Sequence, residues 1–331
     1  MDLRQLRTLL AVLEEGSVGK AAEKLSISQP ALSKIILRLE DELGVKLFER
    51  RARGMIATPY AESLRAYAQA ACIGMDQAVK EIHALKAGTE GALTIAAPPL
   101  ITTGFLPEVL LRLSAERPNL QLRVISQNYG LHRSLMDGQF DVVVAMLYKE
   151  LSRVGLTKKW IFDDRLVFMM RPDHPMAKRK SIRPSELLEY KWALADGLSW
   201  HRRRLELFFE QYGKPLPRHC IESHDATLLK TLVMKSDMIG ITSKCGLEDD
   251  VNRRLLKIVE IDSPLMLRPI GVVRRSGAPS PAIEAFVRIL DEVSRERGYP
   301  RRPANVDVDQ HLLEVAAESP SRMQRKKKAK A

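Results

Sequence analysis

The chain has 331 residues, 45% of them hydrophobic and 28% charged, which is typical of a water-soluble protein of two or three domains. It contains no apolar run near the roughly eighteen residues of a membrane span, no recognisable secretory signal, and no metal or redox spacing among its three cysteines, so we expect a cytoplasmic protein without metal or cofactor. The net charge of +12 is uneven, because residues 1–58 carry ten basic against eight acidic residues, whereas six basic residues lie in 321–331.

Two short helices are predicted within the first 25 residues. The first is broken at Gly16, and its apolar spacing predicts a buried face made of Leu3, Leu6, Leu10 and Leu13. The second carries Ala21 and Ala22, which are small enough to let another helix cross closely. A tight turn follows at residues 26–28.

The segment LSISQPALSKIILRLEDELG, residues 25–44, contains a predicted third helix that starts with Gln29 and is apolar on one side. Ser28 is a candidate N-cap, and Pro30 suits the first turn, where its missing N–H would have no partner in any case. The predicted buried face consists of Leu32, Ile36, Leu39 and Leu43. The other side and the N-terminal end present groups suited to base edges and phosphates, namely Gln29, Pro30, Ser33, Lys34 and Arg38.

The second and third helices form a predicted helix-turn-helix, whose second member enters the major groove of DNA. Two short strands around a turn at Arg53 and Gly54 predict a wing. Arg50, Arg51 and Arg53 would lie along the phosphate backbone, where arginine adds affinity without reading sequence. A small helical bundle without a ligand is the alternative interpretation.

Residues 59–88 predict one long helix without an internal breaker. Its apolar residues recur at alternating steps of three and four, at Leu64, Ala68, Ala71, Met75, Ala78, Ile82 and Leu85. About thirty residues make a rod of roughly 40 Å, and a lone helix of that length cannot bury its stripe. We therefore expect a second copy of the chain, and with it two DNA-binding domains (residues 1–58, the reading head) for two DNA half-sites.

Residues 1–88 resemble the winged helix-turn-helix and linker helix of the LysR-type transcriptional regulators. The resemblance is carried by Ser17, Ala21–Ala22, Leu25, the run SQPALS at 28–33, Leu39–Glu40, Leu43–Gly44, Leu47–Phe48, Arg50 and Thr58–Pro59. It implies that Ser17 and Thr58 also belong to the DNA-binding surface. Two departures are Tyr60–Ala61, where the family often has Ala-Gly, and Lys34, where arginine is common and would contact a base more rigidly.

From Gly91 onward, short apolar runs alternate with helical stretches, which predicts an α/β sheet with helices on both faces. The resemblance continues to residue 297 in the segments GALTI (91–95), FLP (105–107), GQFD (138–141) and PDHP (172–175). It implies a two-lobed, periplasmic-binding-protein-like effector domain over 91–297. Lobe I is expected at 91–162 and 270–297, lobe II at 163–269, and the crossing strands near 162–166 and 264–270. The tail, 298–331, lies outside the family pattern and is predicted to be disordered and basic.

The cleft between the lobes is the expected ligand site, because strand ends and helix starts offer free N–H groups there. The expected effector contacts are Leu100, Thr102, Thr103, Asn128, Trp200, His201, Ser223, Asp225 and Thr242, with Asp196 and Ser243 beside them. Helix capping and surface polarity are the alternative explanation for each polar residue, and core packing is the alternative for Trp200. Pro98-Pro99-Leu100 replaces a family pattern with hydroxyl groups on both sides of proline, which removes a donor often used for a carboxylate.

Together these elements predict a sequence-specific transcriptional regulator that binds double-stranded operator or promoter DNA as a homodimer or homotetramer. The expected partners are a small-molecule effector (a sugar, an aromatic compound or an organic acid) and RNA polymerase. A ligand-independent DNA-binding regulator is the alternative. A transport-type solute binder would have no use for the reading head. An enzyme is not expected, because the seven histidines show no metal spacing and no nucleophile or phosphate-binding motif accompanies His224–Asp225.

Overall fold

The computed structural model describes residues 1–51, 54–86, 88–147, 155–179, 183–197, 199–216, 220–260 and 263–300. The chain begins with α1 (Leu3–Glu15), α2 (Val18–Lys24), α3 (Gln29–Leu43), β1 (Phe48–Arg51), β2 (Gly54–Ala57) and α4 (Pro59–Lys86). Local chemistry explains several of these ends. Asp2 and Gln5 form a reciprocal capping box at the start of α1, and Gly16 ends α1 with a left-handed φ of 61°.

The buried side of α1 differs from the predicted one. Leu6 is buried as expected, but Leu9 and Val12 are more deeply buried than it is, and Leu3, Leu10 and Leu13 pack only partly against the core. The reason is that α1 contacts α2, α3 and α4 together, so its covered arc is wider than a single stripe. On α3, Leu32, Ile36 and Leu39 are buried, whereas Leu43 is 41% exposed because the helix ends beside it at Gly44.

Only the first part of α4 is covered by the reading head. Ala61, Ala68 and Cys72 are buried against the core that α1 and α3 supply. Farther along, the apolar stripe is exposed, at Ala71, Met75, Ala78 and Ile82. The other side of this part of α4 lies against lobe I, where Ile73 fills the space above Gly138. The helix therefore has one apolar side that the described part of its own chain leaves uncovered.

The second domain alternates strands and helices. Its elements are β3 (Ala92–Ala97), α5 (Pro99–Gly104), α6 (Leu106–Glu116), β4 (Gln121–Ser126), α7 (Leu131–Met136), β5 (Val142–Met146), β6 (Leu156–Met170), α8 (Pro184–Leu187), β7 (Trp192–Leu194), α9 (Trp200–Glu210), β8 (Cys220–Glu222), α10 (Ala226–Met234), β9 (Ile239–Ser243), α11 (Glu248–Asn252), β10 (Lys257–Val259), β11 (Leu267–Arg275) and α12 (Pro281–Glu296). None of the described helices is long and apolar enough to cross a membrane.

Two long strands join the lobes. The strand order is β4-β3-β5-β11-β6-β9-β7-β8, with β10 also on β6. Within β6, the residues up to Arg165 pair with β11 in lobe I, and those from Leu166 pair with β9 in lobe II. The chain returns through β11, which pairs with β5 and β6. Parallel strands β3, β4 and β5 build lobe I, and parallel strands β7, β8 and β9 build lobe II, so the carboxyl ends of both sets border one cleft.

The fold continues slightly beyond the predicted start of the tail. Tyr299 is 8% exposed, and its ring stacks on Phe162 at 4.5 Å, while the carbonyl of Pro300 accepts a hydrogen bond from the Asp163 N–H at 2.9 Å. Residues 298–300, which were predicted to belong to a disordered tail, are therefore part of the folded domain. Residues 301–331 lie outside the described part of the chain.

Candidate DNA-binding surface and effector cleft

The first turn of α3 presents polar groups over a buried base. Ser28 caps the helix by accepting a hydrogen bond from the Ala31 N–H at 3.4 Å. Gln29, Pro30, Lys34 and Arg38 are exposed, and Ser33 is half-buried. Leu32, Ile36 and Leu39 hold the opposite side in the core. This places amide and cationic side chains at the N-terminal end and along the outer side of α3, where a recognition helix meets base edges.

The start of α2 lies beside the start of α3. A Cβ added at Gly19 would lie 2.8 Å from the Gln29 amide nitrogen and 3.8 Å from the Ser17 hydroxyl. Ser17 is the N-cap residue of α2, but its side chain makes no capping hydrogen bond. The absence of a side chain at Gly19 therefore leaves room for the Gln29 amide. This positioning role was not predicted, because a glycine inside a helix carries no local sign of what crosses it.

The wing is fixed to the end of α1. In the antiparallel pair, Arg50 lies opposite Met55 and Arg51 opposite Gly54, and the Met55 N–H donates to the Gly16 carbonyl at 3.0 Å. Gly54 has φ 125°, and a Cβ there would lie 2.7 Å from that same carbonyl oxygen, so glycine is required. Arg53 lies outside the described residues.

Thr58 is part of the interior of the head. It is 8% exposed, its hydroxyl donates to the Lys46 carbonyl at 2.8 Å, and the Ala61 N–H donates to that hydroxyl at 3.4 Å. This burial contradicts the prediction that Thr58 lies on the DNA-binding surface. Its hydroxyl instead connects the segment before the wing, at Lys46, to the first turn of α4, at Ala61.

Glu40 ties α3 to the wing. Its carboxylate is 6% exposed and accepts hydrogen bonds from the Leu47 N–H at 2.8 Å, the Phe48 N–H at 3.3 Å and the Lys46 ammonium at 2.7 Å. Burial alone would raise the pKa of Glu40, but these donors outweigh it and hold the pKa below the ordinary value. The carboxylate is therefore charged at neutral pH and orients the wing relative to the reading helix.

On the lobe I side of the cleft, three hydroxyl groups lie at or just after the ends of β3 and β4. Thr102 donates to the Pro99 carbonyl at 2.7 Å and lies 3.2 Å from the Ser126 hydroxyl, and Thr103 donates to the same carbonyl at 3.0 Å. Asn128 is exposed at the end of β4. The two threonine hydroxyls thus donate within their own helix α5, and their oxygens can still accept hydrogen bonds.

A contact across the cleft joins the two lobes. The hydroxyl of Tyr129, which follows β4, donates to the carboxylate of Asp196, which follows β7, at 3.0 Å. His224 Nδ1 lies 2.9 Å from the same carboxylate oxygen, and its ring meets the Tyr129 ring edge-on at 6.2 Å. Partial burial, reinforced by the Asp196 carboxylate, raises the pKa of Tyr129. Tyr129 and His224 were not predicted as site residues, although they directly follow the predicted residues Asn128 and Ser223.

The two lobes also approach each other closely at two glycines, Gly104 of lobe I and Gly246 of lobe II. A Cβ on Gly104 would lie 2.5 Å from the Cys245 carbonyl oxygen, and a Cβ on Gly246 would lie 2.7 Å from Leu100 Cβ. Leu100, predicted as an effector contact, therefore packs against the short 3-10 turn that follows β9. These contacts set how closely the lobes approach each other.

Charged and aromatic groups lie where α9 begins near the crossing strand β11. The guanidinium carbons of Arg204 and Arg268 lie 4.8 Å and 5.7 Å from the centroid of the Trp200 ring. Burial and the positive charge of Arg268 lower the pKa of His201 to about 3, so its imidazole is neutral at neutral pH. Asp164, fully buried, accepts hydrogen bonds from the Ser243 hydroxyl, the Cys245 N–H and Arg268.

Two family descriptions match the chain. Residues 86–295 match the LysR substrate binding domain, and residues 3–62 match the bacterial regulatory helix-turn-helix protein of the lysR family. The chain belongs to the LysR family. It is thus a DNA-binding transcriptional regulator with an effector-binding C-terminal domain, as its winged head and two-lobed cleft predicted.

Similar proteins span nearly the whole chain. The SDS degradation transcriptional activation protein of a Pseudomonas species is 30% identical over 302 residues, covering 89% of this chain and 97% of the relative. The regulator PcaQ of Agrobacterium fabrum is 27% identical and covers 89% of this chain and 96% of its own. Among solved structures, a full-length OxyR variant from Pseudomonas aeruginosa superposes with a TM-score of 0.60 at 25% identity, covering 92% of this chain and 99% of its own. Full-length BenM gives 0.54 at 25% identity, covering 92% and 100%.

In this LysR-family chain, helix capping accounts for part of the predicted effector set. Asp225 caps α10 by accepting the Thr227 and Leu228 N–H groups, and the Ser223 hydroxyl accepts the Asp225 N–H at 3.0 Å. Thr242 is buried near the carboxyl end of β9, where it pairs with Val167 of β6. Trp200 is partly buried and packs against the hydrophobic core of lobe II, and His201 is also partly buried. No group of three potential metal ligands occurs in the described ranges.

Proposed function

We propose that α3 reads the operator through Gln29, Ser33 and Lys34, while Arg38 and the wing arginines Arg50, Arg51 and Arg53 hold phosphates. Ser17 would support the same surface from the start of α2. The supporting observation is the exposure of the first turn of α3 above the buried Leu32–Leu39 side. Amide and hydroxyl groups at the N-terminal end of a recognition helix discriminate between bases, whereas arginines on the backbone do not.

We infer that two copies of the chain pair through the uncovered apolar side of α4. Met75 and Ile82 on this side are 48% and 62% exposed, and Val79 between them is 44% exposed. A helix of 28 residues is about 42 Å long, which suffices to separate two heads while keeping them in a fixed relation. A homodimer would bury this side of α4, and a homotetramer would join two such dimers.

The proposed effector site is the cleft bordered by Thr102, Asn128, Trp200 and His201. A ligand there would touch both lobes and so change the balance between their arrangements. The lobes are connected to the head through α4, whose far side packs on lobe I. A regulator that ignores small molecules remains the competing proposal.

We propose that the protein acts by binding DNA and a ligand, without catalysing a reaction. We propose that it does so in the cytoplasm, where DNA is found. One relative is by name a transcriptional activator, which supports RNA polymerase as a further partner of this chain. Matched relatives are regulators rather than enzymes.

Selection of bound duplexes from a random DNA pool tests the DNA-reading role of the full-length protein. We expect enrichment of an interrupted palindrome, because two identical heads on one dimer read two half-sites. Recovery of duplexes without any common sequence would contradict the proposal. The enriched duplex then serves as the operator in every experiment below.

A further inference from the structure

Arg268 is a buried cation with an unused hydrogen-bonding edge. It is the second residue of β11 and is 5% exposed. Its Nη1 donates to Asp164 at 3.2 Å, and this is the one hydrogen bond that the described residues give it. Its Nε is buried and meets no acceptor there. A buried donor without an acceptor costs about 1–3 kcal/mol, so this edge is suited to an acceptor that the described residues do not supply.

Asp164 does not accept a hydrogen bond from Arg268 Nε. Its two oxygens already receive the Ser243 hydroxyl, the Cys245 N–H and Arg268 Nη1. This arrangement balances the charge of Arg268 and fixes one end of the guanidinium. The Nε and Nη2 groups form the other edge, whose parallel N–H pair matches a carboxylate or phosphate.

Trp200 gives the same place an aromatic surface. Its ring lies under the guanidinium groups of Arg204 and Arg268, and it remains partly exposed. It is also the first residue of α9, an eleven-residue helix whose N-terminus carries partial positive charge. Neutral His201 stands next to it and offers one donor and one acceptor.

We propose that the effector of this regulator is an anion, whose carboxylate or phosphate oxygen accepts a hydrogen bond from Arg268 Nε while its body lies against Trp200. This inference rests on the proposed effector cleft and narrows its ligand from sugars, aromatic compounds and acids to acids. An uncharged sugar would leave the Nε–Nη2 edge without a charged acceptor.

The test is binding of simple probes to the full-length protein at constant ionic strength, followed by calorimetry and thermal melting. The probes are benzoate, succinate and inorganic phosphate, with benzamide and glucose as neutral counterparts. We expect at least one anion to bind saturably and the neutral probes not to bind. Binding by benzoate or succinate alone identifies a carboxylate, and binding by phosphate alone identifies a phosphate.

Arg268→Lys is the decisive variant, because lysine keeps the positive charge beside Asp164 but lacks the N–H edge. We expect it to weaken anion binding at least tenfold while the melting temperature without ligand stays near that of the wild type. Arg171→Lys, the same replacement at a surface arginine paired with Asp237, serves as the matched control and should bind normally.

Two results would overturn the inference: no anion binds at millimolar concentration, or Arg268→Lys binds the anion as tightly as the wild type. A neutral probe that binds and changes operator affinity would refute the anionic effector and leave the proposed regulatory function intact. An anion that binds through Arg268 without changing operator affinity would support the site and contradict the regulatory function instead.

Discussion

At the scale of single residues, Glu40 shows how one buried carboxylate joins two elements. Replacing Glu40 with Gln removes the charge that receives Lys46 and the N–H groups of Leu47 and Phe48. We expect a loss of about 1.5–3 kcal/mol in the free energy of unfolding at pH 7, since hydrogen bonds to a charged group are of this size. Thermal melting of the full-length protein measures it, with Asp41→Asn, an exposed neighbour on α3, as the control that should melt like the wild type.

The same pair of variants has a defined pH dependence. Because the pKa of Glu40 in the folded protein is lowered from 4.5, its stabilising contribution is present above that value and is lost as the pH falls through the folded pKa. The difference in melting temperature between the wild type and Glu40→Gln should therefore shrink below pH 4.5. A difference that stays constant or grows in acid would contradict the assigned charge state.

Base reading and phosphate contact separate at the level of individual side chains. Gln29→Ala or Ser33→Ala should reduce the preference for operator over random duplex by about 1–3 kcal/mol, if each removes a base contact. Arg51→Ala should weaken binding to both duplexes alike and reduce the slope of log affinity against log salt by about one. Fluorescence anisotropy at several salt concentrations distinguishes the two. If both kinds of variant behaved alike, the division into reading and phosphate-holding residues would be wrong.

At the scale of elements, the uncovered side of α4 is the proposed pairing surface for a second copy of the chain. Met75→Glu or Ile82→Glu places a charge on this side and should shift the protein toward the monomer in sedimentation experiments, because burying an unpaired carboxylate is costly. Lys80→Glu is the control, since residue 80 is exposed and lies about 140° around the helix from residue 75. Equal sedimentation of all three variants would exclude α4 as the pairing surface.

At the scale of the whole molecule, β11 connects the cleft to the linker helix. It begins beside Arg268, and about 23 Å farther along it ends at Arg275, which donates to the Leu135 carbonyl at 2.9 Å and to Gln77 of α4 at 3.3 Å. Burial lowers the pKa of Arg275, and Asp141 partly offsets this. A displacement of β11 by a ligand would therefore reach the helix that carries the reading head.

We expect Gln77→Ala to uncouple ligand binding in the cleft from DNA binding by the reading head. Ligand affinity in the absence of DNA should be unchanged, but the change in ligand affinity on adding operator, about 1–3 kcal/mol in the wild type, should fall toward zero. Lys80→Ala on the same helix is the control and should keep the coupling. Because coupling is reciprocal, titrating the anion with and without operator measures it directly, and full coupling in Gln77→Ala would show that the signal takes another route.

The sequence by itself determined the elements whose causes are local. Helix α3 begins at Gln29, directly after the predicted Ser28 cap, because this cap and the proline in the first turn act within a few residues of the helix start. Apolar periodicity likewise predicted the long helix and the alternating α/β domain. These signals depend on neighbouring residues only, so no knowledge of the fold is needed to interpret them.

The tertiary structure alone decided which residues meet across long separations in the chain. It brings Tyr129 to Asp196 and His224, Arg268 to Trp200 and Asp164, and Tyr299 to Phe162. It also turns Leu9 inward, because the covered arc of a helix depends on how many neighbours pack against it. Each of these outcomes rests on the crossing of β6 and β11 or on the packing of α1 under α4, and no local pattern in one segment encodes where a distant segment will lie.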